Sequence, residues 1–298
     1  FLIIRRPPRS THCISSAASD VYKRQGRKIV EDFLETYRGD VSPWEVDSTE
    51  HFTVAYYYEK FEAATFRLLR HLGLDPLLCK TKAALTHYKT ELHNRDIYYI
   101  KSGLISAGEN SIIGHKLFKA DSDILCTTMQ QTLLGISIEG STTAWDGDSK
   151  ENRHQPGDET SWVQSLKDVV QPNEINWSGS LSLPGYIHRF STANSFIMAA
   201  FGLTPDYLTR FRIGLSTFEF QLEFHNSVKS GDLINIESCI AQLGSSSVRF
   251  YHRMENAETG EELATLSQYG VHLDLDSRRP TPIPDDLRTK AEHLLPKI

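Results

Sequence analysis

Residues 41–76, VSPWEVDSTEHFTVAYYYEKFEAATFRLLRHLGLDP, align without a gap on residues 170–205, VQPNEINWSGSLSLPGYIHRFSTANSFIMAAFGLTP, when the chain is slid along itself by 129 positions. Nine of these 36 positions are identical: Val41/Val170, Pro43/Pro172, Glu45/Glu174, Tyr57/Tyr186, Phe61/Phe190, Ala64/Ala193, Gly73/Gly202, Leu74/Leu203 and Pro76/Pro205. Average composition would give about two. Lys60/Arg189 keeps its charge as well. A second block reads at a larger offset, with TELHN (90–94) on LEFHN (222–226) and SVKS as an insertion before the next turn. Gly108 then falls opposite Gly244, and Gln130 opposite Gln268. A chain assembled twice from one unit is expected to fold as two like domains.

Each unit shows the same succession of patterns. Val54, Tyr57, Tyr58, Phe61, Ala64, Leu68, Leu69 and Leu72 recur every three to four residues and predict one apolar helical face. GLDP and GLTP then stop the helix, Gly first and Pro just beyond. STFEFQLEFH (216–225) alternates apolar and polar residues as a half-buried strand does, and three more strands follow, with turns at LGSSS and NAETGE. Copy one repeats the pattern from Asp96 onward. A long helix followed by antiparallel strands is an α+β unit. The sheet is expected to wrap round the helix, its sole apolar partner within the unit.

These patterns divide the chain into a unit at 26–140, a polar linker at 141–169 whose ends Trp145 and Trp162 tack down, and a second unit at 170–298 with a C-terminal tail. The first 25 residues, FLIIRRPPRSTHCISSAASDVYKRQ, are basic and Ser-rich and are expected to be non-native or disordered. Removing their net charge of +4 from the total of −6 leaves −10 for the remainder, which disfavours nucleic acid or an anionic membrane as partner. No apolar run approaches the ~20 residues that span a bilayer. Cys79, Cys126 and Cys239 are widely spaced and read as inert buried thiols of a cytoplasmic protein. Neither a His/Cys metal cluster, a phosphate-binding glycine loop nor a G-x-S-x-G elbow is present, so no metal is expected.

The order V-x-P-x-x-[VI]-D-x-x-x-H, then a helix, then an antiparallel meander resembles the hotdog-fold thioesterases, and its duplication resembles their double-hotdog arrangement. Similarity is greatest to the group of 4-hydroxybenzoyl-CoA and betainyl-CoA thioesterases, whose sequences carry W-x-D-x-N-G-H-M ahead of the helix. Copy one reads WEVDSTEHFTVAYY, matching at Trp44, Asp47 and His51, with Trp44 one residue early and Thr49-Glu50 in place of N-G. The resemblance covers about Val41 to about Asp286. It implies a tandem double hotdog, each copy a long central helix wrapped by an antiparallel sheet. It also implies an acyl-CoA thioester hydrolase with no cofactor other than the coenzyme A of its substrate, and the possibility of homo-oligomers.

Carried over by position, the resemblance makes Asp47 the nucleophile or general base, with His51 beside it. The main-chain N–H groups of Val54, Ala55 and Tyr56 become the oxyanion donors, in keeping with the unpaired amides and positive dipole of a helix start. A second lineage of the fold uses a helical Glu, which brings in Glu62. Asn176 and Ser180 stand where copy one has Asp47 and His51. Copy one's loop is therefore expected to supply the working site, and copy two to complete the pocket. Short basic groups, Arg210, Arg212, Lys229, Arg278 and Arg279, read as a clamp for coenzyme A phosphates on an acidic protein. Two alternatives stay open: a double-hotdog enoyl-CoA hydratase or dehydratase, whose D-x-N-P-x-H pattern is not matched here, and a non-catalytic acyl-CoA-binding module.

Overall fold

The spacing of apolar residues that predicts the helices also decides what they cover. In the computed structural model, which describes residues 33–47, 50–148, 156 and 161–295, helix α1 (Val54–His71) buries Ala55, Tyr57, Tyr58, Phe61, Ala64, Leu68 and Leu69. Helix α2 (Leu183–Phe201) buries Tyr186, Ile187, Phe190, Ala193 and Ile197, and stops at Gly202 in the left-handed region, φ 97°. The segment 1–25 lies outside the described residues.

Copy one adds strands β1 (Leu34–Asp40), β2 (Lys80–Tyr88), β3 (Ile97–Ser106), β4 (Ile112–Lys119) and β5 (Ile124–Leu134). Copy two contributes β6 (Val163–Val169), the short helix α3 (Pro205–Phe211), β7 (Ile213–Phe224), β8 (Leu233–Leu243), β9 (Ser247–Asn256), β10 (Glu262–Asp274), β11 (Arg279–Pro280) and α4 (Asp285–Glu292). All strands join one antiparallel sheet in the order β1-β3-β4-β5-β2-β7-β10-β9-β8-β6, with β11 on β10. The two halves of that order mirror each other. They meet where β2 pairs with β7, from Ala83 opposite Glu223 to His87 opposite Glu219. Both helices lie on the same face: Tyr58 and Phe220 pack at 6.4 Å between ring centres, Tyr186 and Phe224 at 4.8 Å, and Tyr56 meets His188 edge-on at 5.8 Å across the two helices. One apolar core thus runs through both copies. Among the described residues no helix is long and apolar enough to cross a membrane.

The duplicated V-x-P-x-E is a structural clamp. Pro43–Glu45 and Pro172–Glu174 each form a 3-10 turn. Glu45 accepts from Ser42 N (2.9 Å) and binds Lys60 Nζ (2.8 Å), while Glu174 accepts from Gln171 N (2.7 Å) and takes two bonds of 2.8 Å from Arg189. The carboxylate closes its own turn and ties the pre-helix loop to the helix behind it. That double duty explains why both copies keep the glutamate and a cation fifteen residues later.

Three details correct the sequence reading. Strand β6 lies inside the stretch read as linker, and β1 likewise precedes the first helix. As edge strands they carry charged, alternating residues that look like loop. Second, the match of TELHN to LEFHN is out of register by four. Leu92 O accepts from Phe52 N as Val228 O does from Leu181 N, and Asp96 caps His93 N as Asp232 caps Lys229 N, an offset of 136. The seven residues beyond 129 sit before the strands, where α3 replaces the 3-10 turn Pro76–Leu78. SVKS is therefore no insertion. Third, His115 lies opposite Met129 and His252 opposite Leu266, so Gln268 corresponds to Gln131 and not to Gln130. A one-residue slip in a strand moves the side chain to the other face.

Of the linker ends, Trp145 packs on Gly114, where a Cβ would come within 2.5 Å of the indole, and Trp162 meets Tyr251 edge-on under the Arg253 guanidinium. Cys126 and Cys239 are buried thiols, whereas Cys79 is only partly covered.

Arg189, 4% exposed, is held by Glu174, Asp168 and two backbone carbonyls. Removing it would leave the half-buried Glu174 and the neighbouring Asp168 without their shared cation. Arg189→Ala is expected to destabilise the protein by about 3 kcal/mol or more, read from urea unfolding midpoints, with Arg189→Lys retaining much of the loss.

Candidate functional site

The seam between the copies leaves a cavity of about 430 Å³ on the helix side of the sheet. Helix α1 presents Glu62, Thr65, Phe66 and Leu69 to it, the i, i+3, i+4, i+7 stripe that shares one helical face. Copy two closes the opposite wall with its pre-helix loop, Asn176 to Leu181, and with Leu183 and Tyr186 at the start of α2. Thr81 from β2 and Gln131 from β5 complete the lining. Thr65 and Gln131 are buried, while Lys80, Trp177, His225, Asn226 and Ser227 are exposed. The first pair therefore forms the floor and the second group the mouth. Phe66 and Trp177, edge-to-face at 4.7 Å, wall this cavity off from a neighbouring groove of about 470 Å³ that carries Arg38 and Arg67.

Glu62 is the one acidic side chain in the lining. Its Oε1 accepts from Asn176 Nδ2 at 2.7 Å. The amide cannot turn over, because Asn176 Oδ1 already accepts from Ser178 N (3.0 Å) and Ser178 Oγ (2.8 Å). Leu183 N–H points at the same Glu62 oxygen from 3.5 Å, at the outer limit of a hydrogen bond. It is the first amide of α2. The next residue is Pro184, with no N–H, and Gly185 N is taken by the cap residue Ser182. One directed donor and the positive end of a helix thus face a carboxyl. Burial lifts that carboxyl to about 7, outweighing the lowering by Asn176 and Leu183.

Behind the floor runs a buried polar chain. Thr65 Oγ1 donates to Gln131 Oε1 (2.5 Å), and Gln131 Nε2 donates to Thr81 Oγ1 (2.7 Å). His115 is fully buried. Its Nε2 lies 3.1 Å from Thr65 Oγ1 and its Nδ1 2.6 Å from Ser102 Oγ, which Thr36 Oγ1 approaches to 2.6 Å. Burial lowers the imidazole to about 4, so it is neutral. Copy two keeps the histidine but not the chain: His252 bonds Ser238 through Nδ1, while His252 Nε2 and Asn194 Oδ1 have no partner. The sequence reading missed His115 and Gln131, and the recurrence of His and Gln at an offset of 137 was the available signal.

Asp47 does not line this cavity. It is exposed, and its Oδ1 accepts from His51 N at 3.1 Å across a small turn. His51 Nε2 lies 3.2 Å from Glu91 and 3.3 Å from Arg278. His51, Glu91 and His93 bring ligand-type atoms within 4.8 Å of one another, and the Arg278 guanidinium sits on two of the three. Tyr56 N is committed to Thr53 O, which removes it from the set of donors. By the repeat offset of 129, Val54 corresponds to Leu183, Asp47 to Asn176 and Glu62 to Ser191. Copy one's helix and copy two's loop, not copy one's loop, build the cavity. The loop glycine also survives in copy two: Gly179 has φ 78°, whereas Glu50 occupies the same position at φ 63°.

The five basic residues do not form one clamp. Arg212 pairs with Asp276 at 2.7 Å, and Arg278 pairs with Glu91 at 3.1 Å. Arg210 lies over Phe211 in a separate hollow with Lys290, and Arg279 is exposed on β11. Lys229 lies two residues after Ser227 at the cavity mouth.

A profile of the thioesterase-like superfamily matches residues 41–152 and again 170–291. The betainyl-CoA thioesterase of Pseudomonas aeruginosa is 26% identical over 125 residues, spanning 42% of this chain and 79% of that protein. An acyl-ACP thioesterase from Bacteroides thetaiotaomicron superimposes with a TM-score of 0.62 at 10% identity, over 78% of this chain and 96% of the other. The 12:0-ACP thioesterase from Umbellularia californica does so at 0.58 and 11% identity, over 82% and 94%. At such identities the structures speak for a shared fold.

Because burial raises the folded Glu62 carboxyl from 4.5 to about 7, the unfolded chain binds fewer protons across that window. Its contribution to stability therefore falls as pH rises through it. Glu62→Gln is expected to remove this slope. The variant should be more stable than the parent by on the order of 3 kcal/mol at about pH 8 and nearly equal at about pH 4, by denaturant unfolding.

Proposed function

The chain belongs to the thioesterase-like superfamily, and from that premise we propose that it hydrolyses acyl-CoA thioesters in the seam cavity with Glu62 as the working carboxylate. One observation carries this reading: an acid with its affinity for protons tuned to about 7 lies against a directed amide and a helix N-terminus, inside a cavity that both copies line. A general base is most effective when its pKa lies near the operating pH. The same reading takes the two wrapped helices as a tandem double hotdog and the seam as its shared site.

In this reaction Glu62 takes a proton from a water molecule as the water oxygen attacks the thioester carbon. The carbonyl π electrons move to oxygen, where Leu183 N–H and the dipole of α2 stabilise the charge. Such donors are worth about 3 kcal/mol each. Collapse of the tetrahedral intermediate breaks the C–S bond, and the proton held by Glu62 passes to the departing coenzyme A thiolate. Asn176 keeps the carboxyl aimed. Lys80 lines the mouth, where the nucleotide end would emerge, and Arg67 lines the adjoining groove.

Free-thiol release from a panel of acyl-CoA esters tests this directly. Glu62→Gln is expected to lower kcat by about a hundredfold or more, while Asp47→Asn keeps most of the activity. The reverse result would return the site to the pre-helix loop of copy one. The acid limb of the pH–rate profile is expected near 7, where Glu62 loses its proton. Asn176→Asp is expected to move that limb to higher pH, because a second carboxylate at 2.7 Å disfavours ionisation of the first.

A further inference from the structure

The floor of the cavity is polar in a way that hydrolysis itself does not require. Glu62 and Leu183 serve the thioester, whereas the buried Thr65 and Gln131, with the half-buried Thr81 beside them, form the floor of the same lining. Their hydrogen bonds can be counted. Gln131 Nε2 donates to Thr81 Oγ1, which fixes the amide so that its oxygen faces Thr65. Thr65 donates to that oxygen, and its own oxygen takes the Nε2–H of His115, whose Nδ1 is met by Ser102. The oxygens of Thr65 and Gln131 thus each already accept a bond. Among the described residues, what remains unpartnered is hydrogen-bond donors: the second amide hydrogen of Gln131 and the hydroxyl hydrogen of Thr81.

We propose that this floor selects an acyl group carrying a neutral hydrogen-bond acceptor, a hydroxyl or carbonyl oxygen a few bonds beyond the thioester. A plain alkyl chain would cover the buried Gln131 donor and the half-buried Thr81 hydroxyl without giving either a partner, which a binding site penalises. An acyl carboxylate is disfavoured, since the floor holds no cation and shares its helical face with Glu62. Copy two sharpens the contrast. It retains the equivalent pair Gln268 and Thr217, at 3.2 Å, but has Asn194 in place of Thr65 and Ser191 in place of Glu62. The buried chain through His115 serves to hold Thr65 and Gln131 in this one orientation, so that the donors point inward before the substrate arrives.

The proposal rests on the assignment of hydrolysis to the Glu62 cavity, and two measurements separate the failure of one from the failure of the other. In the first, the full chain is assayed with butyryl-CoA, 3-hydroxybutyryl-CoA and 4-hydroxybutyryl-CoA. At least one hydroxyacyl ester is expected to show kcat/KM about tenfold above butyryl-CoA, as one net hydrogen bond allows. That ratio should fall to about one in both Gln131→Leu and Thr81→Val, the second of which leaves the bonds of His115 to Thr65 and Ser102 in place should the first unfold. In the second, the same esters are titrated calorimetrically into Glu62→Gln. If the unsubstituted chain hydrolyses no ester, yet the hydroxyacyl ester still binds Glu62→Gln more tightly than butyryl-CoA does, the hydrolytic assignment fails and the selectivity stands. Equal kcat/KM and equal binding for all three esters, or a preference that survives both floor variants, overturns the proposal.

Discussion

The antiparallel pairing of β2 with β7 is the contact on which the remainder of the molecule depends. Either half alone would present an unpaired strand edge at this point, with a row of free N–H and C=O groups. Joined, the halves form a single sheet, and both helices are drawn onto one face of it. That closeness puts the start of α2 against the middle of α1, so that Leu183 N–H reaches toward Glu62. No cavity with lining from both copies would exist without it. Fusion of the copies in one chain also frees each from self-complementarity. A symmetric dimer must place the same residue at both equivalent sites, whereas a tandem chain can alter one and leave the other.

The two pseudo-equivalent positions have used that freedom unevenly. Around the described cavity the carboxylate comes from the helix and the amide from the loop, Glu62 with Asn176. At the reciprocal place the loop has Asp47 and the helix Ser191. Each pairing of loop and helix therefore keeps one acid, on opposite sides. Among the described residues the first is enclosed, whereas Asp47 is exposed. Asp47 spends an oxygen on the turn at His51, in a loop whose left-handed position is filled by Glu50 rather than glycine. Burial is what makes the difference chemically: the same carboxyl group in water would ionise too readily to act as an effective base near neutrality.

Much of the fold was legible in the sequence because it rests on periodicity. The helical faces, the glycine stops and the duplication follow from patterns repeated over tens of residues. Edge strands β1 and β6 escaped notice, since charge on a solvent-facing edge looks the same as loop. The strand registers escaped for another reason. TELHN and LEFHN share three residues by chance, and only the backbone bonds of Leu92 and Val228 show which positions correspond. The site was half legible. Glu62 could be named from a resemblance, but its partner Asn176 was read as a loss, because a linear comparison sets Asn176 against Asp47. In space it stands against Glu62. Which loop faces which helix is a property of the seam, and no local pattern carries it.

The duplication separates scaffold from chemistry in a way one domain could not. Positions identical in both copies turn out to hold the frame: Glu45 and Glu174 close the same turn and bind the same kind of cation, and Phe61 and Phe190 each pack against a buried histidine. The cavity is lined by positions that differ, Glu62 against Ser191 and Thr65 against Asn194. Copy two pays for its divergence with two orphaned polar atoms, Asn194 Oδ1 and His252 Nε2, in the place where copy one has a closed chain of bonds. Among the described residues His252 Nε2 has no partner, in the place where His115 Nε2 meets Thr65. The buried carboxyl of Glu62 is costly in the same sense, since its charged form is poorly solvated above neutral pH. A frame held by two ion-pair clamps and one continuous sheet can tolerate that cost in a single cavity.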